Sequence, residues 1–147
     1  MSKIHTLKTI GSMSSILLVF CLGASLIGTA AEPTTTTLEI TSIKGGFAAA
    51  TCTVKNTGNV SAINITLKIS VKGGMFNRIN ITKICTGCSN CGPDITANTT
   101  RTESTSEAGR IFGFGSVDIA VSAEAENAVK VTKSAQGFIL GFFVIIT

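Results

Sequence analysis

The chain has 147 residues, 44% hydrophobic and only 14% charged, which fits one globular domain and excludes a disordered acidic or basic tail. It has no Trp or Tyr and a single His, His5. With His5 assigned below to a removable leader, the rest of the chain excludes Ser-His-Asp and Cys-His catalysis and His metal ligation. The net charge is +4, and without Lys3 and Lys8 of the leader ten basic residues face eight acidic ones. That +2 balance is too mild to point to nucleic acid or an anionic membrane.

Residues 1–31 read as a secretory signal peptide, a short signal helix ahead of the domain. Lys3 and Lys8 make its positive start, and Ile16–Ile27 is its apolar core. Gly28-Thr29-Ala30 offers small residues for cleavage before Ala31, with cleavage before Glu32 an equal alternative. Cys21 sits in the core and leaves with it. The competing reading is an uncleaved anchor, because residues 14–31 give 18 largely apolar positions, at the threshold for spanning a bilayer. Residues 32–37, with Pro33 and four consecutive Thr, read as a tether.

A period of two then takes over. Ile63, Ile65, Leu67, Ile69 and Val71 alternate with Asn64, Thr66, Lys68, Ser70 and Lys72, which predicts a half-buried strand. Val117, Ile119, Val121, Ala123 and Ala125 repeat the pattern against Asp118, Ser122, Glu124 and Glu126. Leu38–Ile43, Ala48–Lys55, Arg78–Ile84 and Val129–Lys133 are shorter strands of the same kind. The apolar end of the chain is too short to span a membrane, so Phe138–Ile146 reads as a final strand buried on both faces. Glycine clusters, including Gly45-Gly46, Gly73-Gly74 and Gly113 to Gly115, separate the runs, and Gly-Phe pairs recur. About seven strands over residues 38–147 predict an all-β, immunoglobulin-like antiparallel two-sheet sandwich.

Val54-Lys55-Asn56-Thr57-Gly58, followed by Ala62, Asn64-Ile65, Leu67 and Ile69, resembles the signature of a family of prokaryotic surface β-sandwiches. That family is the cell-adhesion-related domain of bacteria and archaea (CARDB-like). The similarity continues in Gly113-Phe114-Gly115 and in Gly137-Phe138-Ile139-Leu140-Gly141, and covers roughly Leu38–Ile146. The resemblance implies a non-enzymatic module on an exported or cell-surface protein, with Asn56-Thr57-Gly58 forming a tight turn between two adjacent strands. The cysteine-rich stretch at 85–91 departs from the family.

Four cysteines remain after the leader: Cys52, Cys85, Cys88 and Cys91. An exported chain meets an oxidising environment, so an even number of cysteines predicts disulfides, with three connectivities open. A bridge from the inward-facing Cys52 would pin the 85–91 insert to the core. The alternative is that the four thiolates hold zinc or an iron–sulfur cluster. Four Asn-x-Ser/Thr sequons, at Asn59, Asn64, Asn80 and Asn98, are candidate glycosylation sites, and alternation puts Asn64 and Asn80 on solvent faces.

Asp94–Glu107 is rich in Ser and Thr and reads as an exposed connection or edge strand. Glu124 and Glu126 read as a solubilising face rather than a calcium site or acid–base pair. Phe112 and Phe114 read as caps on the end of the core. The expected function is therefore display. A secreted or surface-held, non-enzymatic sandwich, with no cofactor, presents loops and edges to a protein or glycan of the cell envelope. Homotypic pairing through an edge strand is one mode, and a membrane contact is expected only through an uncleaved N-terminal segment. A Cys-cluster metal or redox module and a structural subunit of a surface filament or layer are the alternatives.

Overall fold

Runs of alternating β-branched and polar residues become strands along the whole domain, because branched side chains pack well on a pleated, half-buried surface. The computed structural model describes residues 35–87, 92 and 94–147. The signal helix at 1–31, Cys88, Cys91 and Pro93 lie outside the described residues. The chain divides into two units, 1–32 and 33–147, and the second is the sandwich.

Its strands are β1 (Leu38–Gly45), β2 (Ala50–Asn56), β3 (Thr66–Gly73), β4 (Ile79–Thr86), β5 (Thr100–Ser104), β6 (Gly113–Ala125), β7 (Ala128–Gly141) and β8 (Phe143–Ile146). They form two antiparallel sheets, β1-β2-β5 and β4-β3-β6-β7-β8. Seven of the strands take the order of an immunoglobulin-like sandwich, and β8 is added outside β7. Asp94–Glu107 contains β5, an edge of the smaller sheet, as its composition suggested.

The core is aliphatic. Leu67, Ile69 and Val71 of β3 meet Val117, Ile119, Val121 and Ala123 of β6 across matched registers, and all are buried. Leu38, Ile40, Ala50 and Val54 close the layer from the smaller sheet. Each such Leu, Ile or Val contributes about 1.5–3 kcal/mol on leaving water.

Four sequence expectations need correction. β3 begins at Thr66 rather than Ile63: Asn64 takes a left-handed φ of 50°, which breaks the alternation and leaves Ile63 44% exposed. Asn56-Thr57-Gly58 does not join adjacent strands of one sheet; it carries the chain from β2 in one sheet to β3 in the other. The Thr-rich segment is not all tether, since Thr36 is buried and bridges Ala128 beside β7. Finally, Phe138–Ile146 is not one strand buried on both faces. Gly141, at φ 64°, opens a two-residue turn that pairs Leu140 with Phe143, a hairpin geometry that favours glycine.

The sheet edges are blunted. β1 has a bulge at Ile40/Ser42, and Lys133 Nζ donates to the Ile40 and Thr41 carbonyls there at 3.1 and 3.3 Å. β8 is covered by the β1–β2 turn, through Val144 N–H to Gly46 O at 2.9 Å and Ala48 N–H to Phe142 O. β4 carries an inward lysine, Lys83. Bulges, inward charges and covering loops are devices that hinder edge-to-edge pairing; β5 forms the remaining edge.

Candidate functional site

Of the four cysteines, the structure describes Cys52 and Cys85, and these two are not joined. Cys52 is a free, buried thiol, so the predicted bridge from it to the 85–91 insert does not form. The reason is its position. Cys52 is central in β2, flanked by Ile43 and Glu103, whereas Cys85 ends β4 in the other sheet and is itself disulfide-bonded. Burial pushes the Cys52 thiol up to about 11, the opposite of what a nucleophile or thiolate ligand needs. Cys88 and Cys91 lie outside the described residues. Among the described residues no group of three or more His, Cys, Asp or Glu is placed to hold a metal ion.

Beside Cys52 lies a charged cluster, centred on the buried Lys83, that the sequence did not suggest. Lys83 Nζ sits 2.9 Å from Glu103 and 2.9 Å from Glu107. Burial alone would lower the Lys83 pKa, but the hydrogen bonds its ammonium donates to the two glutamates outweigh it and hold it above its ordinary value. Glu103 is largely buried and Glu107 is mostly exposed, so the arrangement ties β4 to β5 and to the turn after it.

The sequon asparagines Asn59, Asn64, Asn80 and Asn98 are all exposed. Asn64 is already engaged, its Nδ2 donating to Glu126 at 2.8 Å. Glu124 meets Lys130 at 3.6 Å, so the glutamate pair serves surface pairing.

The phenylalanines form a different kind of surface. Every phenylalanine among the described residues is exposed, from 41% at Phe142 to 84% at Phe76. Phe112 and Phe114 were expected to cap the core; they are 61% and 51% exposed instead. Aliphatic chains already fill the space between the sheets, with Ile79 and Ile111 buried at that end.

Six of them converge at one end of the sandwich. Phe47 comes from the β1–β2 turn, Phe76 from the β3–β4 turn, Phe112 and Phe114 from the start of β6, and Phe142 and Phe143 from the β7–β8 hairpin. Ring centroids lie 5.6 Å apart for Phe47–Phe142 and Phe47–Phe143 and 4.6 Å for Phe112–Phe142. The backbone fixes this convergence: Phe47 bridges Phe143, and Ile111 N–H donates to Ala48 O. A cleft of about 360 Å³ lined by Met75, Phe76, Arg78, Ile79, Phe112 and Phe114 completes the end. The apolar surface continues round onto the larger sheet, where Phe114, Leu140 and Phe143 form one cross-strand row and Phe138 and Ile145 the next.

As a site, this convergence is not visible in the sequence. Its signal was present in the recurring Gly-Phe pairs, since a phenylalanine next to a turn glycine sits at a strand end rather than mid-strand. Contiguous exposed apolar surface of this kind marks an interaction site more often than a neutral surface.

A shallow groove on the larger sheet, lined by Lys68, Ser70, Lys72, Asp118 and Lys133 among others, is the other concavity of note. Its Lys133 is committed to the β1 carbonyls, and Lys72 lies opposite Asp118. No helix among the described residues is long and apolar enough to cross a membrane.

Comparison with known proteins gives little. No family model matches the chain, and no curated protein matches it. A crystal structure of a Bordetella pertussis protein described as ApaA is similar at TM-score 0.45 and 14% identity, covering 76% of this chain and 94% of that one.

Proposed function

We propose that this chain is an exported, non-enzymatic β-sandwich that serves as an interaction module at the cell envelope, with the phenylalanine end as its contact surface. The observation that carries the reading is the placement of phenylalanine: the core takes none and one end takes six. Exposing aromatic area costs solubility and adds nothing to folding, so its concentration on turns calls for a partner. The chain joins the sandwich at Thr36, beside Ala128 and the β6–β7 turn, at the end opposite the phenylalanines. The resemblance to prokaryotic cell-adhesion-related sandwiches and the leader at 1–31 support the same reading.

The test is retention of the exported protein on the envelope fraction of its host. Phe47→Ser with Phe142→Ser is expected to lower retention at least about tenfold, from the apolar area removed, while circular dichroism still reports the folded sandwich. Retention equal to wild type would overturn the reading. Intact mass of the exported protein tests the leader, with loss of residues 1–30 or 1–31 expected.

A further inference from the structure

The partner of this end is legible in its charge. The segments that build it, 44–50, 73–79, 108–117 and 136–147, contain Lys44, Arg78 and Arg110 and no Asp or Glu. All three cations are exposed, and among the described residues none forms an ion pair. The acidic side chains Asp94, Glu124 and Glu126 gather at the other end, around Asn64 and Lys130. The mild overall balance thus conceals an end that is apolar and basic, whereas at the other end acidic and basic side chains are mixed, as in the Glu124–Lys130 pair.

The shape of the end matters as much. Its apolar side chains project from separate turns rather than from one flat face, and Phe76, with Met75 beside it at 62% exposure, is the most exposed of them. Phe76 and Asn77 hold left-handed φ values of 59° and 54°, a conformation that costs a bulky residue energy and persists where function requires it. Apolar tips ringed by unpaired cations match the interfacial region of an anionic bilayer, where rings enter the acyl boundary and Lys or Arg meets lipid phosphate. A second copy is a poorer fit, because two such ends face to face would oppose Lys44, Arg78 and Arg110 with their own images.

We propose that the phenylalanine end docks on an anionic lipid bilayer, with Phe47, Phe76 and Phe112 entering the interface and Lys44, Arg78 and Arg110 contacting headgroup phosphates. This rests on the reading of that end as the contact surface.

The experiment is co-sedimentation of the exported protein with phosphatidylcholine vesicles containing about one-third phosphatidylglycerol, against pure phosphatidylcholine. Binding is expected on the anionic vesicles and to weaken with salt. Phe76→Asn with Phe112→Asn should lower it at least about tenfold, and Arg78→Gln or Arg110→Gln about fivefold each. These side chains are exposed, so the variants keep the wild-type melting temperature. Because the chain has no Trp, Phe76→Trp gives a single emission that should shift to the blue as vesicles are added.

Equal binding by wild type and the double phenylalanine variant, or an emission at position 76 unmoved by saturating vesicles, overturns the proposal. Absence of vesicle binding with phenylalanine-dependent envelope retention intact overturns the lipid assignment but leaves the contact surface standing. A phenylalanine-dependent dimer without vesicle binding also overturns it and assigns the end to a second copy. Absence of both vesicle binding and phenylalanine-dependent retention removes both readings.

Discussion

Replacing Asn56 by Ala tests how the two sheets are locked together. Asn56 is fully buried, and its side chain uses all four of its hydrogen-bonding positions. Oδ1 accepts from Thr36 Oγ1 at 2.7 Å and from Gly58 N–H at 3.0 Å. Nδ2 donates to the carbonyls of Val60 and Ile95, each at 2.8 Å. One residue thus ties the start of the domain, the β2–β3 crossover and the segment leading to β5. The variant leaves the buried Thr36 hydroxyl without its acceptor, removes one of the two donors to the buried Ile95 carbonyl, which keeps Ala62 N–H at 2.9 Å, and frees two partly buried partners. At about 1 kcal/mol for each lost bond, more for the buried pair, the expected loss is about 3–5 kcal/mol. For a domain of this size that lowers the melting temperature by about 12–20 °C.

The assay is thermal and urea unfolding by circular dichroism, with Asn59→Ala as control. Asn59 is exposed, so that change should stay within about 0.5 kcal/mol of wild type. Asn56→Asp sharpens the test, because it sets a carboxylate oxygen against the Val60 and Ile95 carbonyls. It should be at least as damaging as Ala at neutral pH and recover partly where the carboxyl is protonated. An Asn56→Ala protein within about 1 kcal/mol of wild type would refute the idea that this network locks the crossover.

Three further outcomes follow from the same structure. Cys52 should resist alkylation in the folded protein and react once denaturant is added. Its folded pKa, about 11, lies above the ordinary thiol value of 9.0, so the stability it contributes is complete below pH 9 and lost as pH rises toward 11; a Cys52→Ala protein with the same alkaline loss as wild type would remove the thiol from the account. Lys83→Met leaves the largely buried Glu103 without its partner and should cost about 2–3 kcal/mol in urea unfolding, most of it regained when Glu103 is also made Met; no regain would mean that packing, not charge, sets the cost. Gly141→Val should destabilise by about 1–2 kcal/mol through its left-handed φ alone, since a Cβ there meets nothing within 4 Å, and a Gly141→Asn protein losing as much would point to another cause.

The amino-acid sequence by itself determined the strands and the class of fold. Alternation over Leu67–Val71 and Val117–Ala123 is local information, because the pleat turns every second side chain the same way wherever the strand ends up. It also placed Cys52 inward and left residues 94–107 as either an exposed connection or an edge strand, of which β5 is the second. Where local rules met a conformational exception, the reading slipped. The left-handed Asn64 moved the start of β3, and Gly141 turned one apolar run into a hairpin.

What only the tertiary structure decided depends on residues far apart in the chain. Asn56-Thr57-Gly58 reads the same whether it joins neighbouring strands or crosses between sheets; the partners Thr36 and Ile95 settle it. Cys52 lost its predicted bridge because pairing needs proximity, which spacing along a chain does not supply. The phenylalanines illustrate the point best. Each sits by a turn glycine for local reasons, but their convergence, and their company of Lys44, Arg78 and Arg110, arises because four separate turns end at the same pole of the sandwich.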